Sequence, residues 1–148
     1  MSLAQVWKDP QFGAAIAVAP FFWVVFRLLG TTPFGFSFPL QAPLDFFMPA
    51  LIYPVLEEMV FRGLIQENLY RLPWGCRRAG PVSAANFATS VLFALGHWLV
   101  HSPLRAIGVF FPALIFGYFR DRYGRIVPSI VLHVFYNTGY MLLFAGYS

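Results

Sequence analysis

The sequence predicts an all-α, polytopic integral membrane bundle of about five transmembrane helices. Three observations predict it. The chain of 148 residues is 59% hydrophobic and only 11% charged, with a mean hydropathy of +0.66. Its apolar residues fall in five stretches that are continuous rather than alternating, so they read as helices. Most of its basic residues fall outside those stretches. An ordinary soluble domain carries about 25% charged residues, and a chain this short lacks the interior to hide so much apolar surface. A soluble bundle would need a polar outer face on each helix, and several of these segments have none.

The first stretch runs from about Phe12 to Leu29. It follows Lys8 and Asp9, is long, and is not followed by a small-x-small cleavage site, so it is expected to be a retained anchor rather than a signal peptide. Thr31 to Pro43, rich in Pro, Gly and Phe, is expected to be a loop near the interface. The second stretch, about Leu44 to Tyr70, carries charges inside it. Pro73, Gly75, Gly80 and Pro81 punctuate the next connection. The third stretch spans about Val82 to Val100 and ends at Ser102-Pro103. The fourth, about Ala106 to Phe119, is shorter than the roughly 20 residues a span needs, which suggests a tilted or re-entrant segment. Tyr123-Gly124 turns the chain into the fifth, about Ile126 to Ala145. No internal repeat or low-complexity tract marks a second domain, so residues 1–148 are expected to form one membrane-embedded domain with its motifs within 44–145.

A net charge of +4 and a pI near 9.6 could suggest nucleic acid. The short basic clusters between apolar runs fit membrane topology instead, with the bilayer as partner. With the N-terminus inside, Lys8, Arg71, Arg77, Arg78, Arg120, Arg122 and Arg125 face the cytoplasm, against Arg27 and Arg105 outside. The single cysteine, Cys76, excludes an intramolecular disulfide and reads as an ordinary loop thiol beside Arg77 and Arg78.

The second stretch holds Glu57-Glu58-Met59-Val60-Phe61-Arg62. An acidic residue at a membrane helix centre costs about 2.5–3.5 kcal/mol, so two in succession call for a reason. Glu58 and Arg62, at i and i+4, can neutralise each other. Glu57 lies about 100° round the helix and has no such partner in its own segment. A buried carboxyl is suited to general-base work near neutrality. The third stretch adds Asn86, Ser90, Phe93, His97 and His101 at three- and four-residue steps, on one helix face. The fifth adds Ser129, His133, Asn137 and Tyr140. Single polar residues of this kind are commonly packing contacts between helices. Three helices each contributing an ionisable group point rather to a shared site.

Glu57-Glu58-x-x-x-Arg62, Phe93-x-x-x-His97 and His133-x-x-x-Asn137, in that order and in separate apolar stretches, resemble the motif set of the CPBP intramembrane proteases. That group includes the CAAX prenyl-protease type 2 enzymes and the bacterial Abi proteins. The resemblance implies peptide-bond hydrolysis without a cofactor, in the C-terminal tail of a membrane-associated protein. That tail would be a CAAX-like end or a bacterial C-terminal sorting signal, processed in the bacterial cytoplasmic membrane. It implies Glu57 as the base that activates water, assisted by His97. It makes His133 and Asn137 oxyanion donors, and Glu58, Arg62 and Phe93 supporting residues.

Rival readings keep their own predictions. A zinc enzyme would use His97 and His101 with His133 and Glu57, although the chain has no His-Glu-x-x-His. A non-catalytic immunity or scaffold protein would not need the intact set. A transporter could build a proton relay from Glu and His, but no paired repeat is present. Pro49, Pro54 and Pro112 are expected kinks. Pro54, one turn before Glu57, can open a backbone carbonyl, although packing is its simpler role. Trp7, Trp23, Trp74 and Trp98 read as interface or packing residues. Asp121, among Arg120, Arg122 and Arg125, reads as a solvated turn.

Overall fold

The computed structural model describes residues 3–29 and 38–144. The expected loop from Thr31 lies outside the described residues as far as 37, as does Ala145 at the end of the fifth stretch. The chain divides into two compact units, Met1–Leu56 with Val131–Ser148, and Glu57–Ile130.

The first unit opens with α1 (Leu3–Val6) and α2 (Pro10–Leu29). Asp9 caps α2, its carboxylate accepting from the Gln11 N–H at 2.9 Å, with Pro10 at the first helical position where its missing N–H costs nothing. Phe12, Ala15 and Ala19 make the buried stripe of α2. Two short helices, α3 (Phe38–Gln41) and α4 (Pro43–Phe47), occupy the end of the expected loop, and a π-helical turn, π1 (Met48–Ile52), follows them. The remaining element is α9 (Val127–Phe144), which belongs to this unit from Val131. Trp23 on α2 donates its indole N–H to the Tyr136 carbonyl at 3.0 Å, and Tyr136 returns its hydroxyl to the Ala15 carbonyl at 2.8 Å. Gly139 makes this approach possible, since a Cβ there would fall on the Trp23 indole.

The second unit continues α5 (Tyr53–Glu58) into π2 (Met59–Gln66) and α6 (Glu67–Tyr70). A two-stranded antiparallel hairpin, β1 (Arg78–Ala79) and β2 (Val82–Ser83), pairs Arg78 with Ser83 and Ala79 with Val82. Gly80, at φ 60°, supplies the left-handed corner of its two-residue turn. The hairpin is the one departure from all-α among the described residues. Next come α7 (Ala84–Trp98) and α8 (Pro103–Tyr123). The Ser83 hydroxyl caps α7 by accepting from the Asn86 N–H at 3.0 Å. Ser102 caps α8, and Gly124, at φ 65°, closes it with its N–H on the Arg120 carbonyl.

The fourth stretch is therefore not short. α8 has 21 residues, because Arg105, Arg120, Asp121 and Arg122, expected in connections, are helical. Conversely, among the described residues no helix is long and apolar enough to cross a membrane. Local causes are visible. α7 covers 15 residues, which rise about 22 Å against a hydrocarbon core of about 30 Å. α8 carries charge towards both ends. The second stretch, expected as one helix, is divided by π1 and π2.

Proline accounts for the first of those divisions. Pro54 cannot donate, and in an α-helix its ring would meet the carbonyl four residues back. The turn ahead of it is widened: the Tyr53 N–H reaches back five residues to the Met48 carbonyl. In that register the next carbonyl, Pro49 O, would take its hydrogen bond from residue 54, which has no N–H to give.

Candidate active site

Five of the expected site residues belong to the second unit. Glu58 and Arg62, one turn apart at the α5–π2 junction, are fully buried, and Arg62 Nε lies 3.3 Å from Glu58 Oε2. Isolated, either charge would be very costly there; paired, the two neutralise each other. The Arg62 guanidinium also donates to Gln66 Oε1 at 3.2 Å and to the Ala113 carbonyl of α8 at 2.8 Å.

Gln66 extends the network. Its amide nitrogen donates to the Gly117 carbonyl at 2.9 Å and to Asp121 Oδ1 at 2.8 Å. Asp121 Oδ2 accepts from the Ser83 hydroxyl at 2.5 Å. Asn86 donates to the Leu114 carbonyl at 3.0 Å and accepts from Ser90 at 3.1 Å. Ser129 donates to the Phe116 carbonyl at 2.7 Å. Asp121 is thus not a solvated turn: its side chain is fully buried. The sequence reading missed Gln66 as well. The available signal was its position four residues beyond Arg62 and eight beyond Glu58, on the same face. Beside the network, Glu67 pairs with Arg71 at 2.9 Å and with Arg120.

Phe93 joins this charged core to His97. Its buried ring stands edge-on to Phe61 with centroids 5.0 Å apart, lies 5.9 Å from the Arg62 guanidinium carbon, and packs 4.4 Å from the His97 ring. His97 is half-buried. Its Nδ1 lies 3.0 Å from the Phe93 carbonyl. A carbonyl only accepts, so Nδ1 carries the hydrogen, and Nε2 of the neutral ring holds the basic lone pair. Glu57 is half-buried at the end of α5, next to the paired Glu58. His101 follows α7 and is exposed, its ring centroid 5.8 Å from that of His97. Within neither unit do three His, Cys, Asp or Glu side chains among the described residues group to hold a metal ion.

The other two expected residues belong to the first unit. His133 is buried on α9 at 4% exposure. Asn137, one turn on, is half-buried and donates from Nδ2 to the Pro49 carbonyl at 3.0 Å. The same side-chain nitrogen keeps a second N–H, which no described residue engages. On its own unit, then, each end of the proposed chemistry has suitable groups. The second unit offers a carboxylate and an imidazole whose Nδ1 is turned to the Phe93 carbonyl. The first offers an imidazole and a held amide.

A cavity of about 380 Å³ lies between α7 and α8. Ala94, Leu95 and Trp98, around His97 in sequence, line it with Ala106, Ile107 and Phe110. Its lining is wholly apolar.

In comparison with known families, residues 38–139 match a model described as type II CAAX prenyl endopeptidase, Rce1-like. The matched region contains all seven expected site residues. No curated protein and no solved structure matches the chain.

Proposed function

The chain belongs to the Rce1-like family of type II CAAX prenyl endopeptidases, and from that membership we propose that it hydrolyses a peptide bond in the lipidated, CAAX-like C-terminal tail of a membrane-associated protein. Glu57 takes a proton from the attacking water, with His97 Nε2 assisting. His133 and Asn137 donate to the oxyanion that forms on the scissile carbonyl. Proton transfer from the water through Glu57 to the leaving amine completes the cleavage. The reaction we propose draws on no metal.

The observation that carries this reading is the different burial of two adjacent carboxylates. Glu58 is fully buried against Arg62. Glu57, about 100° away on the helix, is half-buried in the unit that also holds the half-buried His97. The apolar cavity between α7 and α8 suits a substrate that carries an isoprenoid chain.

We place this single protease domain in a bacterial cytoplasmic membrane as a multi-pass bundle with its N-terminus inside. The outward faces of the helices support that placement. Val18, Phe21, Val24 and Leu28 form an exposed apolar stripe on α2, and Leu104, Ile107 and Phe111 another on α8. Surfaces of this kind favour lipid over water.

The test is Glu57→Gln in the purified full chain, with a farnesylated CAAX peptide as probe and mass spectrometry as readout. Loss of a general base lowers kcat by about 10²–10⁴. Processing at the parent rate by a correctly folded Glu57→Gln chain rules out the proposed base. An unlipidated peptide with a short hydrophobic, basic-ended tail is the second probe. Preferential cleavage of that peptide would move the substrate to the sorting-signal class.

A further inference from the structure

We infer that Pro54 is a positioning residue: by withholding a backbone N–H it leaves the Pro49 carbonyl to hold the Asn137 amide in its donating orientation. The inference rests on the proposed oxyanion role of Asn137 and adds to it how that side chain is set.

The argument uses only groups of the first unit. The widened turn pairs the Tyr53 N–H with the Met48 carbonyl. The next rung of that register would run from residue 54 to the Pro49 carbonyl, and a proline there has no hydrogen to place in it. Pro49 is half-buried, and a helical carbonyl partly withdrawn from water favours a partner. Pro54 is fully buried, and the group that meets Pro49 O is Asn137 Nδ2, at 3.0 Å.

The pairing also decides which way the amide faces. The two ends of an asparagine side chain are nearly identical in shape and opposite in hydrogen-bonding sense. Only the nitrogen end can meet a carbonyl; a flipped amide would set oxygen against oxygen. With one N–H on Pro49, the second stays on the donor side, as an oxyanion contact requires. An N–H at position 54 would give Pro49 O a helical partner and loosen that control.

The experiment is a double-mutant cycle in the full chain, with kcat and KM measured on the farnesylated CAAX peptide. Asn137→Ala is expected to lower kcat by about 10²–10³, the effect of losing one oxyanion donor. Pro54→Ala is expected to lower kcat by roughly 10- to 100-fold through misplacement of the donor, with KM unchanged. The double variant is expected to match Asn137→Ala alone, because Pro54 acts through that side chain. Parent kcat in Pro54→Ala, or effects that multiply in the double variant, overturn the inference and leave the hydrolase reading intact. Parent kcat in Asn137→Ala removes the oxyanion role itself and the inference with it.

Asn137→Asp tests the same contact without touching the turn. Ionised, the new carboxyl has no hydrogen for Pro49 O; protonated, it has one. Its thermal midpoint is expected to rise relative to the parent chain on acidification through the carboxyl range, while kcat stays low. A midpoint difference that does not change with pH overturns the carbonyl contact.

Discussion

Replacing Arg62 with methionine removes the cation from a site with no exposure to solvent. Arg62 meets Glu58 at 3.3 Å, Gln66 Oε1 at 3.2 Å and the Ala113 carbonyl at 2.8 Å. Methionine fills much of the volume and supplies none of the charge, so Glu58 is left buried and uncompensated. Breaking a buried pair from one side costs about 3–5 kcal/mol. Replacing Glu58 with leucine in the same chain removes the stranded carboxylate. What remains is the loss of hydrogen bonds to Gln66 and Ala113, at about 0.5–1.5 kcal/mol each. The double variant should therefore fold more stably than Arg62→Met alone, by roughly 1–3 kcal/mol. Denaturant unfolding in detergent, followed by tryptophan fluorescence, measures all four corners of the cycle. Destabilisation below about 1 kcal/mol in the single variant, or single effects that simply add, would refute a buried ionised pair.

Gly117→Ala places a Cβ on the Asn86 side-chain oxygen and close to Gln66, and overpacking of this kind costs about 1–3 kcal/mol; a lowered unfolding midpoint checks it. Partial desolvation first, then the charges of Arg105 and His97, hold the exposed His101 imidazole below its ordinary range. The unfolded chain then binds that proton more readily than the folded one, so stability falls as pH drops below about 6.5. His101→Ala should flatten that part of the midpoint-against-pH curve. Prolonged chelation is expected to leave peptide cleavage unchanged; loss of activity restored by zinc or cobalt would transfer the case to the metal enzyme.

Part of this molecule is legible in its letters. The step from Glu58 to Arg62 and the step from Phe93 to His97 are helical spacings, and the side chains at those steps do meet. The Tyr123-Gly124 turn follows from glycine's tolerance of positive φ. Other features depend on partners distant in sequence. Asp121 sits in a basic cluster that looks solvated, yet its buried side chain meets Ser83 and Gln66, 38 and 55 residues away. The length of α8 was hidden because its charged ends look like loop, whereas Ser102 and Gly124 cap them into the helix. Nothing around Pro54, read as a kink with packing as its simpler role, tells that Asn137 meets the Pro49 carbonyl from 88 residues away. The four proposed catalytic residues were chosen by pattern, and the structure gives each a local setting within its own unit.

α8 contributes to the buried network mainly through its main chain. Four of its carbonyls, at Ala113, Leu114, Phe116 and Gly117, receive Arg62, Asn86, Ser129 and Gln66. A main-chain oxygen is present whatever side chain the residue bears, so this stretch can drift in chemical character without dismantling the network. Bulk is what it cannot accept at 113 and 117, where Ala and Gly leave room for the incoming donors. Saturation mutagenesis of α8 would accordingly sort substitutions at those two positions by volume rather than by polarity.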